Sequence, residues 1–321
     1  MSLDSGSGRL LVNGAKHMKS VDEVRAGLTG PIPTMRTPFT REGRIDYDAL
    51  GRMIDFDIEA GAKAIVLTAG DSHLIIMSDQ EIAEVTKFTA EHVAGRALVV
   101  AGDRNFDTKQ AVAFGEYAAG VGADVLMLMP PDWAASTTPK LLAQHYAAVG
   151  KHIPVMMVTN VFIARGPEHG YATIREVIAT KANVVAVKDD MCGRFARRLC
   201  LEAHDHMAIW AGGYKEEHVN MEPYGVDGYL STFLTFAPKV AWDYWNAQTR
   251  GDRAEAMRIV TEIDIPLFDF VRTLGNDQDG GLHAILEVKG LAERWRPAPY
   301  ASVTDEAVER LRGYLTERGL V

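Results

Sequence analysis

The chain has 321 residues, of which 47% are hydrophobic and 24% are charged, and its formal net charge is −9. This composition is typical of a globular enzyme, and the negative charge disfavours nucleic-acid binding, which needs a basic surface. No uncharged apolar stretch reaches the roughly 18 residues of a membrane span, and the Ser/Gly-rich residues 1–8 lack the apolar segment of a signal peptide. The two cysteines, Cys192 and Cys200, form neither a disulfide framework nor a CxxC metal motif. We therefore predict a cytoplasmic protein that binds neither nucleic acid nor membranes.

Short runs rich in Val and Ile recur along the chain, and continuous apolar runs suit strands that are buried on both faces of a parallel sheet. Amphipathic stretches separate the runs. Ser78 and Glu81, for example, form the S-x-x-E capping box that begins a helix. The predicted strands are residues 31–37, 64–68, 97–102, 125–129, 154–159, 184–188, 207–211 and 228–231.

Strands that alternate with helices in this way fit either an open doubly wound sheet or a closed barrel. Their even spacing favours the (β/α)₈ barrel, or TIM barrel. Beyond residue 238 the strand pattern stops, and helical patterns continue to the end, apart from a Gly/Asp-rich turn at residues 275–281. We predict a tail and short lead-in helix at residues 1–29, the barrel at 30–237, and the last barrel helix with a C-terminal helical extension at 238–321.

Lys188 is the strongest catalytic candidate, because it ends the apolar run at residues 184–187. The active site of a TIM barrel lies at the carboxyl ends of its strands. An apolar setting there disfavours the charged form of an amine, which makes a lysine nucleophilic towards carbonyl groups. The alternative is a lysine at a solvated rim, or one that pairs with Asp189. Lys63 begins a strand, so it belongs at the opposite end of the barrel.

Other polar residues follow the ends of neighbouring predicted strands. The turn at residues 68–72 contains a glycine and two hydroxyl groups, and its backbone amides could bind a carboxylate. It could equally be an ordinary connecting turn. His73, Asp103 and Asp132 lie at the same end of the barrel, where each by itself is better explained as a loop residue than as a catalyst.

A set of short motifs occurs in a fixed order from about Gly30 to the C terminus, and each motif is weak by itself. They are Thr37-Pro38-Phe39, Gly43, Ile45-Asp46, Leu67-Thr68-Ala69-Gly70-Asp71, Val100-Ala101-Gly102, Pro130-Pro131, Thr159-Asn160 and Val187-Lys188-Asp189. Together the motifs make the chain resemble the dihydrodipicolinate synthase / N-acetylneuraminate lyase family of class I aldolases.

The resemblance implies a barrel with C-terminal helices, assembled as a homo-oligomer (a dimer or a tetramer). It also implies a Schiff base between Lys188 and pyruvate or another 2-oxo acid. We predict that the chain uses no cofactor and no metal. Thr68, with the amides of Ala69 and Gly70, matches the family's carboxylate-binding turn. The remaining candidate substrate-binding residues are Thr159, Asn160, Gly212 and Ser231.

The chain departs from the family pattern at several of these positions. Thr159 replaces the strand 5 tyrosine that relays protons, and a threonine cannot titrate near neutral pH. Asp132 stands in the place of an aromatic pair, and Ala69 replaces a threonine. We therefore predict that the chain is not an efficient dihydrodipicolinate synthase. Tyr214, after the seventh predicted strand, and Asp132 are the leading replacements for the proton relay, followed by His73 and Asp103.

Two classes of function remain open at this point. The first is a Schiff-base lyase, either an aldolase or a dehydratase, acting on a 2-oxo acid or a sugar acid. The second is a barrel that binds such an acid with little or no turnover, which the missing tyrosine favours. A metal-dependent aldolase is disfavoured, because the sequence predicts no cluster of His and carboxylate residues at the strand ends.

Overall fold

The computed structural model of the chain describes residues 18–275 and 277–321, in which eight parallel strands form a barrel. The hydrogen-bonded strand order is β1-β8-β7-β6-β5-β4-β3-β2, and a parallel bridge between Thr34 and Val66 closes the ring between β1 and β2. The predicted TIM barrel is therefore confirmed. The strands are β1 Gly30–Ile32, β2 Ala64–Val66, β3 Leu98–Gly102, β4 Val125–Leu128, β5 Val155–Val158, β6 Val184–Asp189, β7 Ala208–Ala211 and β8 Gly228–Leu230.

Helices connect the strands and continue past the barrel. They are α1 Val21–Leu28, α2 Tyr47–Glu59, α3 Asp79–Val93, α4 Thr108–Val121, α5 Pro139–Val149, α6 Pro167–Thr180, α7 Gly193–Ala203, α8 Tyr214–Met221, α9 Pro238–Thr249, α10 Arg253–Ile259, α11 Ile265–Arg272, α12 Gln278–Lys289 and α13 Asp305–Glu317, with a π-helical turn at Val260–Asp264. None of the described helices is both long enough and apolar enough to cross a membrane. The predicted capping box is present at the start of α3. The Ser78 hydroxyl accepts a hydrogen bond from the Glu81 amide, and the Glu81 carboxylate accepts one from the Ser78 amide.

The barrel interior is filled by aliphatic side chains and the indole of Trp210, which is fully buried. Val24 and Leu28 of α1 pack against this cluster. Arg25 of the same helix donates a hydrogen bond to the carbonyl of Met207, directly before β7. Helix α1 therefore covers the end of the barrel at which the strands begin. The opposite end, where the strands finish, is left for polar groups.

The C-terminal extension differs from its prediction at residues 275–281. The sequence predicted a turn over this whole range. A turn is present at residues 273–275, but α12 already begins at Gln278, and Asp277 caps it by accepting a hydrogen bond from the Gly280 amide at 2.6 Å. Gly281 lies within this helix, and a side chain there would clash, because a Cβ would be 2.4 Å from the Val271 side chain of α11. Close packing of two helices, rather than a change of chain direction, accounts for this glycine. The division of the chain into a tail with a lead-in helix, a barrel and an extension, at residues 29/30 and 237/238, stays a prediction.

A buried ion pair joins the extension to the barrel. Lys215 of α8 donates a hydrogen bond to Asp264 of the π-helical turn at 2.5 Å, and both side chains are at most 1% exposed. The lysine nitrogen also lies 3.9 Å from the ring centroid of Phe233. A charge buried this deeply is tolerated only while its partner is present.

Removal of one partner of this pair is predicted to be costly. Asp264→Asn leaves the Lys215 ammonium without a carboxylate, so the free energy of unfolding should fall by about 3–5 kcal/mol in a denaturant titration. Lys239→Met is the matched control, because it breaks an exposed pair with Asp243 and should cost less than about 1 kcal/mol. Lys215→Met with Asp264→Leu should recover most of the loss. Equal stability of Asp264→Asn and the wild type would contradict this account.

Candidate active site at the carboxyl ends of the strands

Lys188 is the penultimate residue of β6 and is 8% exposed. Its ammonium donates a hydrogen bond to the Asp190 carboxylate, two residues further along the chain. On its other side, the nitrogen lies 5.9 Å from the ring centroid of Trp210, which is the register partner of Lys188 on β7. The amine therefore lies at the mouth of the barrel between an indole and a carboxylate. Its ion-pair partner is Asp190 rather than Asp189.

Asp189 is held away from the lysine by a network that starts at Thr159. The fully buried Thr159 hydroxyl donates to Asp189 at 2.8 Å and accepts hydrogen bonds from the amides of Asp190 and Met191, at 2.8 and 3.1 Å. The other Asp189 oxygen accepts from the Cys192 amide at 2.9 Å. Burial raises the pKa of Asp189 to about 6. Thr159 thus ties the end of β5 to the loop that follows β6.

Gly212 provides the space that the Asp190 carboxylate occupies. A Cβ at this position would be 1.9 Å from Asp190 Oδ1 and 2.7 Å from the Asp189 carbonyl oxygen. The Gly212 amide donates to that same carbonyl at 2.7 Å. The predicted candidate Gly212 therefore lies beside the Lys188–Asp190 pair, and its contribution is the absence of a side chain.

The turn at residues 68–72 is braced by its own hydroxyl groups. The Thr68 amide donates to the Ser72 hydroxyl, and the Thr68 hydroxyl accepts from the Asp71 amide, both at 3.0 Å. The amides of Ala69 and Gly70 donate to no acceptor in the described part of the chain. A Cβ on Gly70 would have no atom within 4 Å, so the Gly70 backbone borders open space, whereas Ala69 is buried. Backbone amides without an acceptor in a turn are a feature that can bind an anion.

Tyr214 begins α8 with a positive φ of 56°, and its ring stacks on Phe268 with 4.5 Å between the centroids. Its hydroxyl accepts a hydrogen bond from Gln278 of α12 at 3.0 Å. Burial raises the pKa of this phenol, so it stays protonated near neutral pH. The side chain also packs against the barrel-interior cluster. Tyr214 therefore joins the barrel mouth to the C-terminal extension.

Asp132 lies in the loop after β4, where it forms an ion pair with Arg165 at 2.6 Å. It also accepts a hydrogen bond from the Thr137 amide at 3.1 Å. Burial alone would raise its pKa, but the hydrogen bonds from Arg165 and Thr137 outweigh that effect and lower it. Asp132 is therefore an ionised carboxylate held by a guanidinium group.

The remaining sequence candidates lie at the same end of the barrel in less open positions. Asn160 is in a 3₁₀ turn directly after β5, and its side-chain oxygen is buried with no hydrogen-bond partner among the described residues. Ser231 follows β8 and is fully buried. Asp103 accepts hydrogen bonds from the amides of Met129 and Phe106, at 2.8 and 3.3 Å, and burial raises its pKa to about 7. These contacts fix the loops after β3 and β4.

A polar cluster that the sequence did not predict surrounds His73. Its Nε2 lies 3.2 Å from Asp279 of α12, and His283 of the same helix is 3.9 Å from that carboxylate. The ligand-type atoms of these three residues lie within 4.8 Å of one another, so they could hold a metal ion by residue type. However, Arg36 and Arg296 already bind the two Asp279 oxygens, at 3.3 and 3.0 Å. A cation there would be repelled by two guanidinium groups. The cluster is better explained as a set of polar contacts that hold the C-terminal extension against the barrel.

Sequence reasoning missed this cluster because two of its residues come from the extension, far from His73 in the chain. It also missed Asp190, whose proximity to Lys188 depends on the loop conformation imposed by Thr159. The doublet Asp189-Asp190 was visible in the sequence, but strand periodicity alone could not show which of the two carboxylates turns towards Lys188.

A cavity of about 580 Å³ lies between the turn at residues 68–72 and α12. It is lined by Gly70, Asp71, His73, Gln278, Asp279 and Arg296 among others.

Lys188 near the end of β6 and the turn after β2 thus lie at the same end of the barrel, where the strands finish. The dihydrodipicolinate synthetase family model matches residues 27–318. The chain belongs to this family, as the resemblance predicted. Members of the family are lyases of the class I aldolase type, and the chain is an enzyme of that type.

Individual relatives are distant. An uncharacterized DapA-like lyase of Rhizobium meliloti is 27% identical over 295 residues, covering 90% of this chain and 95% of the relative. A 4-hydroxy-tetrahydrodipicolinate synthase of Psychrobacter arcticus is 29% identical, covering 72% and 76%. A solved putative dihydrodipicolinate synthetase from Pseudomonas aeruginosa is 26% identical with a TM-score of 0.77, covering 90% of this chain and 99% of that one. N-acetylneuraminate lyase from Fusobacterium nucleatum, at 15% identity and a TM-score of 0.79, covering 90% and 98%, supports the fold alone.

The role of Gly212 gives a stability prediction. Gly212→Ala forces Cβ against the Asp189 carbonyl and the Asp190 carboxylate, so the free energy of unfolding should fall by about 1–3 kcal/mol. Gly120→Ala is the matched control, since Gly120 lies in α4 with open space around a Cβ and should gain up to about 1 kcal/mol from helix propensity. Denaturant unfolding measures both. An unchanged free energy of unfolding in Gly212→Ala would show that the loop after β6 can move to make room for the Cβ without loss of stability.

Proposed function

We propose that the chain is a Schiff-base lyase, an aldolase or a dehydratase, that acts on pyruvate, another 2-oxo acid or a sugar acid. Lys188 would form the imine, and the protonated imine would accept the electron pair of a carbanion at C3. The observation that carries the proposal is the place of the Lys188 amine, which lies near the carboxyl end of β6 between Trp210 and Asp190. The family match supports the same reaction type.

The substrate carboxylate is proposed to bind at the turn after β2. The amides of Ala69 and Gly70 offer two donors that no other group uses among the described residues, and Thr68 braces the turn. β2 and β6 both finish at the mouth of the barrel, so the turn and Lys188 face the same opening. Asn160, Gly212 and Ser231 complete the proposed binding site. Thr159 acts on the substrate indirectly in this proposal, since its hydroxyl already serves three partners.

Tyr214 and Asp132 are proposed for proton transfer at parts of the substrate remote from the amine. A buried phenol with a raised pKa serves as a hydrogen-bond donor rather than as a base near neutral pH. Asp132 is ionised and bound to Arg165, so the pair offers both charges to a substrate end that reaches the loop after β4. A cytoplasmic location, a homo-oligomeric assembly and a reaction without a cofactor belong to the same proposal.

The covalent step predicts a trappable adduct on Lys188. Incubation with pyruvate and borohydride should reduce the imine to a stable secondary amine, which peptide mapping by mass spectrometry would place on Lys188. Lys188→Met should abolish the adduct. Lys63→Met is the matched control, because Lys63 directly precedes β2 at the opposite end of the barrel and should leave trapping unchanged. An adduct on another lysine, or none with any of a panel of 2-oxo acids, would refute the proposal.

The reaction of the Psychrobacter relative is predicted not to be the main activity of this chain. With pyruvate and aspartate semialdehyde, turnover should fall far below the roughly 10 s⁻¹ of a typical enzyme, because Thr159 has no free hydroxyl to relay a proton. The same preparation must form the pyruvate adduct, which shows that its lysine is competent. Turnover near 10 s⁻¹ would prove the inference wrong. An adduct without turnover of any 2-oxo acid or sugar acid would favour the alternative, a barrel that binds its ligand only.

A further inference from the structure

We propose that Asp190 is a catalytic acid–base residue that acts at the Lys188 nitrogen, and that Thr159 is the residue that positions it. The inference rests on the proposed function, because it assigns proton transfers in imine chemistry at Lys188. It adds a residue that the family resemblance did not assign. It also gives a physical role to the threonine that replaces the family's tyrosine.

The contact between the two side chains is direct. The Lys188 ammonium donates to Asp190 Oδ1, and the two side chains are 10% and 20% exposed. The pair is thus shielded from bulk water but open on one side to a substrate that enters the mouth of the barrel. A proton can pass between the amine and the carboxylate without an intervening group.

Other carboxylates near the mouth are committed elsewhere. Asp189 binds the Thr159 hydroxyl and the Cys192 amide, and Asp132 binds Arg165. Asp103 accepts two backbone amides. Among the residues that the structure describes, Asp190 is the carboxylate hydrogen-bonded to Lys188.

Two features hold Asp190 in this place. The Thr159 hydroxyl accepts the Asp190 amide at 2.8 Å, which fixes the backbone as the chain leaves β6. Gly212 on the next strand connection leaves the volume that the carboxylate fills, since a Cβ would lie 1.9 Å from its oxygen. Loss of either feature would move the carboxylate relative to the amine.

The proton balance of imine formation suits this pair. Asp190 takes a proton from the Lys188 ammonium, and the neutral amine attacks the C2 carbonyl of the 2-oxo acid. A proton then moves from the Lys188 nitrogen, which is now bonded to C2, to the oxygen of the former carbonyl, which gives a carbinolamine. Asp190 then returns its proton to the carbinolamine hydroxyl, which leaves as water as the nitrogen lone pair forms the C=N bond. The products are a protonated imine and an Asp190 carboxylate.

The same carboxylate can then act one bond further along the substrate. It accepts a proton from C3, the C3–H electron pair forms a C2=C3 double bond, and the C=N pair moves to nitrogen. The products are a neutral enamine and protonated Asp190. In D₂O the acid exchanges its proton, and its return to C3 leaves deuterium on the substrate. Exchange at C3 therefore reports the proposed step without knowledge of the complete substrate.

The experiment measures loss of the pyruvate methyl proton signal in D₂O by NMR, alongside the rate of borohydride trapping. Asp190→Asn should slow both rates about 10²-fold or more, while prolonged incubation still labels Lys188 because the amine is intact. Asp243→Asn is the matched control: Asp243 is also paired to a lysine, Lys239, but on the exposed surface of α9, and it should retain wild-type rates. Denaturant unfolding of each variant confirms that it is folded.

Thr159 supplies a second, milder pair of variants. Thr159→Ser keeps the hydroxyl and should retain exchange, whereas Thr159→Val loses the bond to the Asp190 amide and should slow exchange about tenfold or more. Tyr214→Phe and Asp132→Asn should each reduce exchange less than Asp190→Asn does.

The outcomes separate this proposal from the proposed function. A wild-type protein that forms no adduct and catalyses no exchange contradicts both. If the wild type forms the adduct and catalyses exchange, and folded Asp190→Asn has the same rates, the assignment of Asp190 is overturned while the role proposed for Lys188 is retained. A folded Asp190→Asn that is slow in trapping and exchange, with Thr159→Ser active and Thr159→Val impaired, supports it.

Discussion

Closure of the parallel barrel is the constraint on which the site depends. Because every strand runs in the same direction, the residues that follow the strands must meet at one end, and α1 covers the other. The bridge between Thr34 and Val66 completes the ring. Side chains distant in sequence, such as Thr159 and Asp190, then become neighbours across adjacent strands. Because β5 and β6 are adjacent in the barrel, the Thr159 hydroxyl after β5 can hydrogen-bond the loop after β6 and hold it in one conformation.

The C-terminal extension is attached to this frame through buried charge as well as through apolar packing. Lys215 with Asp264, and Arg36 with Asp279, each join a barrel element to a C-terminal segment. Such pairs contribute little net stability compared with apolar contacts, but their geometry allows few alternatives. They fix where the extension lies, and Gln278 thereby reaches the Tyr214 hydroxyl at the mouth. The extension is thus part of the surroundings of the site.

Sequence reasoning reached the fold and the position of Lys188 because both depend on local patterns. Apolar runs predict the strands, and a polar residue that ends such a run lies at the mouth of the barrel. It failed where the outcome depends on side-chain direction or on contacts across the chain. Residues 275–281 were predicted as a turn from their composition, but residues 278–281 belong to α12, where the close approach of Val271 leaves no room for a Cβ on Gly281. Similarly, no local pattern distinguishes Asp189, which turns towards Thr159, from Asp190, which turns towards Lys188.

The threonine at the end of β5 also changes where proton transfer can occur. The Thr159 hydroxyl is fully buried, and its donor and acceptor positions are used within the loop. It cannot both maintain those bonds and relay a proton to a substrate. The proposed imine chemistry would require a group that exchanges protons beside the nitrogen. The loop that Thr159 stabilises places the Asp190 carboxylate beside the Lys188 nitrogen. The hydrogen bonds that make Thr159 unavailable as a proton relay are therefore the same ones that position Asp190.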